Sequence, residues 1–166
     1  SRLRGPDMTP LDMTGPVVPN ELIGAWPWTP SAYVDEPADT RLRFWIYVPR
    51  SRKDECHAMI RAFEAFSAEV WDTFLREAKA WKEAGDASAP APHNPEAEFF
   101  RRLYAAIAPW LVGIQVRGQT YALTEATVRD ALDKYVPPRE EGVKVLSELR
   151  VAIANGYYDT DLPPKS

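Results

Sequence analysis

The chain has 166 residues, of which 45% are hydrophobic and 11% aromatic, and its formal net charge at pH 7 is -4. This composition suits one globular domain with a real core, and the negative charge gives no general attraction to nucleic-acid backbones or anionic membranes. A single cysteine excludes an internal disulfide framework, and because we find neither a leader nor an apolar run of about 18 residues, we expect a cytoplasmic protein without a membrane partner.

Residues 1–39 are rich in proline and predict an extended arm outside the core. Seven of the sixteen prolines fall here, which removes amide donors and disfavours long helices and central strands. The segment also holds Trp26, Trp28 and other apolar residues, too many for a chain that stays fully solvated. Two interpretations remain open: the arm packs on its own domain, or it docks on a neighbouring subunit as an extended peptide.

Residues 40–48 alternate between apolar and outward side chains, which predicts a half-buried strand. One side carries Leu42, Phe44, Ile46 and Val48, and the other carries Arg41, Arg43, Trp45 and Tyr47. Pro49 ends the strand, and Ser51 is the expected cap of the helix that follows.

The next 33 residues, Arg52 to Ala84, contain no proline or glycine and predict one long helix. Apolar side chains recur at steps of three and four and form a stripe: Cys56, Met59, Ile60, Phe63, Phe66, Val70, Trp71, Phe74, Ala78 and Trp81. Such a helix is about 50 Å long, more than the usual width of a domain of this size. We therefore expect part of the stripe to face a partner, through Phe66, Val70, Phe74 and Trp81, with Trp26 and Trp28 of the arm as further contacts.

The remaining elements are shorter. Residues 85–93 lack periodicity and predict a flexible loop, and Asn94 and Pro95 open a second helix. Residues 110–123 predict a β-hairpin with Gly118 in its turn, Thr124 caps a third helix, and a fourth ends at the Asn155-Gly156 pair. The predicted fold is α+β: one strand and a hairpin make a small antiparallel sheet, packed by one long and three shorter helices. The predicted division is an arm at 1–39, a single domain at 40–156 and a polar tail at 157–166.

The sequence contains no recognisable set of catalytic residues. Cys56 and His57 are neighbours on a helix, so their side chains point about 100° apart and cannot act as nucleophile and base. One cysteine and two histidines are too few for a zinc site, and the pair Asp159 and Asp161 is of a kind common in acidic tails. We expect no enzyme, no cofactor and no metal.

One basic stretch suggests another class of partner. Residues 41–53 contain five basic residues and three aromatic ones with no acid before Asp54, a composition typical of surfaces that bind single-stranded nucleic acid. The overall charge opposes this hypothesis, and the alternative is a strand whose rings pack under the arm and whose arginines pair with acids.

The C-terminal half resembles the tail assembly chaperones of long-tailed bacteriophages. The resemblance covers residues 41–155 and rests on a strand ending at Val48-Pro49, a helix ending near Trp110, a strand at 112–116, Gly118, a second strand to Leu123, and a helix opened by Thr124-Glu125 with Val128 and Leu132. It implies a small helix-rich protein of the infected cell, without catalytic residues, which binds the helical tape measure protein and the tail-tube protein during assembly. The arm and the long first helix depart from that pattern.

We therefore expect a protein partner and a homo-oligomer. The leading hypothesis is an assembly chaperone that covers apolar helical segments of a tail or virion protein. The first alternative is a small phage connector or tail-completion subunit that binds neighbours through its arm. The second is a nucleic-acid-binding module.

Overall fold

The structure, a computed structural model, describes residue 22 and residues 24–155. A four-stranded antiparallel sheet packs against four α-helices, which confirms the predicted α+β class. The elements in chain order are β1 Trp26–Trp28, β2 Arg43–Ile46, α1 Lys53–Ala84, α2 Glu96–Ile107, β3 Leu111–Val116, β4 Gln119–Ala122, α3 Glu125–Tyr135 and α4 Arg139–Ala154. Residues 1–21 and 23 of the predicted arm, the tail at 157–166 with Asp159 and Asp161, and Gly156 lie outside the described residues.

The sheet has the strand order β1-β2-β3-β4, and β1 comes from the segment for which the sequence predicted an arm outside the core. Trp26 pairs with Ile46 and Trp28 with Phe44. Tyr33, farther along the same segment, is completely buried. The described part of the segment is therefore integral to the fold, and the predicted boundary at residue 39 does not separate it from the core.

The two faces of the sheet have different surroundings. The inner face carries Phe44, Ile46 and Ile114, which are completely buried and belong to one hydrophobic core with residues of all four helices. The opposite face, here called the outer face, carries half-buried side chains such as Trp45 and Gln115. The alternation predicted for residues 40–48 is thus confirmed.

Local signals set most element boundaries. The β3–β4 turn has positive φ at both Arg117 (51°) and Gly118 (77°), as in the type I′ turn whose twist matches a two-residue hairpin. Helix α1 ends at Gly85 with φ 66°, the left-handed conformation that glycine adopts without steric cost. Helix α3 begins with a capping box between Thr124 and Thr127.

The start of α1 differs from the prediction, and the start of α2 is shifted by one residue. Ser51 lies in a short 3-10 turn, and α1 begins at Lys53 without a side-chain cap. Helix α2 begins at Glu96, whose backbone N–H donates to Oδ1 of Asn94 at 2.9 Å. Asn94 therefore satisfies a free amide at the start of α2, as its residue type predicts.

Candidate protein-binding surface on the helical hairpin

Helix α1 has 32 residues, or about 48 Å, and only its first third is anchored in the core. Its buried residues are Cys56, Ile60 and Phe63. The stripe residues that follow are all half-buried: Phe66, Val70, Trp71, Phe74, Ala78 and Trp81. The apolar stripe thus continues beyond the part of the helix that the core encloses.

Helix α2 packs against α1 through aromatic rings. The ring of Phe99 lies 5.4 Å from that of Phe63 and 5.7 Å from that of Trp71, both measured between centroids. Phe74 meets Trp71 edge-on at 5.8 Å. Together with the connecting loop at 85–95, α1 and α2 form what we call the helical hairpin. Its own rings occupy part of the surface that the sequence assigned to a partner.

The loop of the hairpin contacts the end of the stripe. The indole Nε1–H of Trp81 donates to the carbonyl of Ala89 at 3.0 Å. Asp86 accepts hydrogen bonds from the backbone N–H and the hydroxyl of Ser88, which hold the pKa of its carboxyl below the usual value. The prediction of a flexible loop missed these contacts, because the partner of Trp81 lies eight residues away and has no side-chain signature.

A cation also covers one ring of the stripe. The guanidinium of Arg102 in α2 lies 4.3 Å from the ring centroid of Phe66, and the same side chain bonds to Glu98 at 3.3 Å. An arginine over a ring shields apolar surface while its charge stays in water. Part of the Phe66 ring is therefore already covered within the chain itself.

Leu75 is the most exposed large apolar side chain among the described residues. It is 64% exposed and lies beside Phe74, one residue off the stripe. Leu75 was not among the predicted stripe residues, although it lies four residues after Trp71 and three before Ala78. With Phe74 and Trp71 next to it, Leu75 makes the outer part of α1 the candidate protein-binding surface, defined here by Trp71, Phe74, Leu75 and Ala78.

The two tryptophans of the arm do not join this surface. Trp26 is only 6% exposed and packs in the core, so it offers a partner little surface, and the contact predicted for it stays a prediction. Trp28 is half-buried against the ring of Phe44, with centroids 6.3 Å apart, and its availability to a partner stays a prediction. Trp28 also lines a shallow apolar groove with Val34 and Val151.

The reactive groups examined in the sequence lie elsewhere. Cys56 is completely buried, and burial raises the pKa of its thiol to about 11. Its neighbour His57 has Nε2 3.2 Å from the carbonyl oxygen of Ala154. Within residues 24–155 and residue 22, no three acidic, histidine or cysteine side chains are grouped so that they could hold a metal ion.

None of the described helices combines the length and the apolarity that crossing a membrane requires. Comparison with protein-family models, with curated proteins and with solved structures gave no match.

Proposed function

We propose that this protein is a non-enzymatic assembly factor that binds an apolar helical segment of another protein along the outer part of α1. The observation that carries the proposal is the exposure of Leu75 beside Phe74 and Trp71, on a helix that continues past the core. Transfer of such an exposed apolar side chain from water into an interface lowers the free energy and so favours binding of a partner.

The geometry of the surface favours a helix as its partner. Side chains three and four residues apart on α1, such as Trp71 and Leu75, form ridges between which those of a second helix can pack. Charged residues flank the surface, including the exposed ion pair between Arg76 and Asp72. An apolar centre with a charged rim is the usual arrangement of a protein–protein interface.

The resemblance of residues 41–155 to tail assembly chaperones narrows the proposed partner. A chaperone of that class covers the apolar face of a helical client until the proper neighbour arrives, which requires an aromatic and aliphatic surface and no chemistry. The client would then be a tape measure or tail-tube segment in the infected cell. The same exposed residues lead us to expect self-association when no client is present.

Co-expression with overlapping segments of a tape measure protein from the same genome tests the proposal. We expect the wild-type chain to capture at least one segment. Phe74→Ala and Trp81→Ala should weaken binding by about 2 kcal/mol if these rings lie at the centre of the interface. Trp81 also bonds to the loop of the hairpin and Phe74 packs on Trp71, so Leu75→Ala is the cleaner variant, with an expected loss of about 1 kcal/mol or more.

Val151→Ala provides the matched control, because Val151 is an exposed apolar residue of α4, on a different helix. Equal binding by the Leu75 and Val151 variants would remove α1 as the docking surface. If the wild-type chain captures no segment and is instead a stoichiometric component of purified virions, it is a structural subunit and the chaperone proposal is wrong.

A further inference from the structure

The outer face of the sheet carries two guanidinium groups and two aromatic rings in one row. Arg43 pairs with Gln115 and Trp45 with Gly113 across β2 and β3, so these two cross-strand pairs share the outer face. Arg41 also reaches Gln115, with Nη2 3.4 Å from Oε1. Tyr47 follows the strand and is 41% exposed, whereas Ile46 and Val48 on either side are buried.

Arg41 and Arg43 of the outer face differ from several arginines on the helices in what they contact. Four arginines on the helices bond to a carboxylate: Arg76, Arg101, Arg102 and Arg150. Among the described residues Arg41 and Arg43 have only neutral partners, Gln115 and the hydroxyl of Thr29, the latter 3.0 Å from Nε of Arg43. The expectation that these arginines pair with acids is therefore wrong for the part of the chain that the structure describes.

Two cations side by side, with no acidic partner among the described residues, are an unfavourable arrangement. Partial burial and, second, the charge of Arg41 hold the pKa of Arg43 below its usual value. The Nε–H of Arg41 is buried and has no hydrogen-bond partner within the described residues. An anion that contacts both guanidiniums would remove the repulsion, and phosphate is a good match because arginine binds it with two parallel hydrogen bonds.

The aromatic rings beside the arginines indicate which chemical class of anion fits this face. Residues two apart on a strand lie about 6.6 Å from each other, so the row runs from the guanidiniums of Arg41 and Arg43 to the rings of Trp45 and Tyr47. Leu22 packs beside Trp45 over Gly113, which leaves Tyr47 as the more open ring. Cations that hold phosphates beside rings that stack on bases are the two elements of single-stranded nucleic-acid binding, whereas an acidic peptide needs only the cations.

We propose that the outer face of the sheet binds single-stranded nucleic acid, with Arg41 and Arg43 contacting phosphate groups and Tyr47 stacking on a base. This surface lies on the sheet and shares no residue with the surface proposed for protein binding on α1. The two proposals therefore stand or fall separately.

Fluorescence anisotropy of a labelled oligo(dT) of about 15 nucleotides, titrated with the full chain at about 50 mM salt, tests the proposal. We expect saturable binding. The logarithm of the association constant should fall linearly with the logarithm of the salt concentration, with a slope of about -1.4, the value for two phosphate contacts on a single strand. The double variant Arg41→Gln and Arg43→Gln should reduce that slope to near zero. Tyr47→Ala should weaken binding by about fivefold or more and leave the slope unchanged.

The double variant Arg61→Gln and Arg129→Gln is the matched control, since it removes the same charge from exposed positions on α1 and α3. It should bind like the wild-type chain, and circular dichroism verifies that each variant folds. Absence of saturable binding by the wild-type chain would overturn the proposal, as would equal binding of a labelled polyglutamate peptide. If the arginine variant does not fold, the salt slope of the wild-type chain and the effect of Tyr47→Ala decide the matter alone.

Discussion

The two ends of α1 share one apolar pattern and lie in different surroundings. At the first end, Ile60 is 1% exposed inside the core, whereas at the other Leu75 is 64% exposed and its neighbours are half-buried. An amphipathic pattern reports which face of a helix meets something apolar. The pattern does not say whether the covering surface is the core, the second helix of a hairpin or another molecule, because that depends on where the rest of the fold ends.

The largest expected effect comes from truncating the anchored end. Ile60→Ala should lower the free energy of unfolding by about 3 kcal/mol, because it removes buried methylenes and leaves a cavity in a packed core. Leu75→Ala, on the same helix, should change stability by less than about 0.5 kcal/mol. Urea denaturation of both variants measures the contrast, and similar losses would show that the outer part of α1 is as enclosed as its start.

A smaller effect is expected at the start of α4, in the core-bearing part of the molecule. A Cβ at Gly142 would lie 1.9 Å from the carbonyl oxygen of Pro137, so Gly142→Ala forces backbone to move and should cost about 2 kcal/mol. Gly85→Ala, at the tip of the hairpin, meets no atom within 4 Å and should cost about 1 kcal/mol, for its left-handed conformation alone. Thermal unfolding of the two variants compares them, and an equal or larger loss for Gly85→Ala would contradict this order.

The smallest effect concerns pH and the anchored end of α1. Cys56 has its thiol pKa raised from 9.0 to about 11 by burial, so the folded state disfavours the thiolate. Its stabilising contribution is complete below pH 9 and is lost as the pH rises toward 11. At about pH 10 the loss amounts to about 1 kcal/mol.

Urea denaturation of the wild-type chain and Cys56→Ala at pH 7 and about pH 10 isolates this contribution from that of other titrating groups. The difference in stability between the two proteins should shrink at the higher pH. A difference that stays constant would place the thiol in contact with water.

Local chemistry explains what could be predicted from the sequence. Gly85, Asn94, Gly118 and Thr124 each act within a few residues of their own position, and each lies at the boundary that its type predicts. The inward and outward sides of β2 also followed from alternation alone.

What could not be predicted depends on contacts distant in sequence. Strand β1 was missed because Pro27 argues against a strand, yet an edge strand tolerates proline where the missing N–H would face away from its neighbour. The candidate surface was predicted in part: the half-buried Phe74 belongs to the stripe, whereas the exposed Leu75 does not. Within the part of the chain that the structure describes, Arg41 and Arg43 have no acidic partner, and no local sequence pattern encodes this.

The helical hairpin is inserted in the sequence between the paired strands β2 and β3, and this affects how the chain folds. Strands β2 and β3 pair although 64 residues separate Ile46 from Leu111, and most of that insertion is α1 and α2. Closing so long a loop costs conformational entropy before any strand contact forms. When the hairpin forms first, its antiparallel limbs bring the ends of β2 and β3 together. In that order of events, the ring contacts of Phe63, Trp71 and Phe99 shorten the effective loop that separates the two strands.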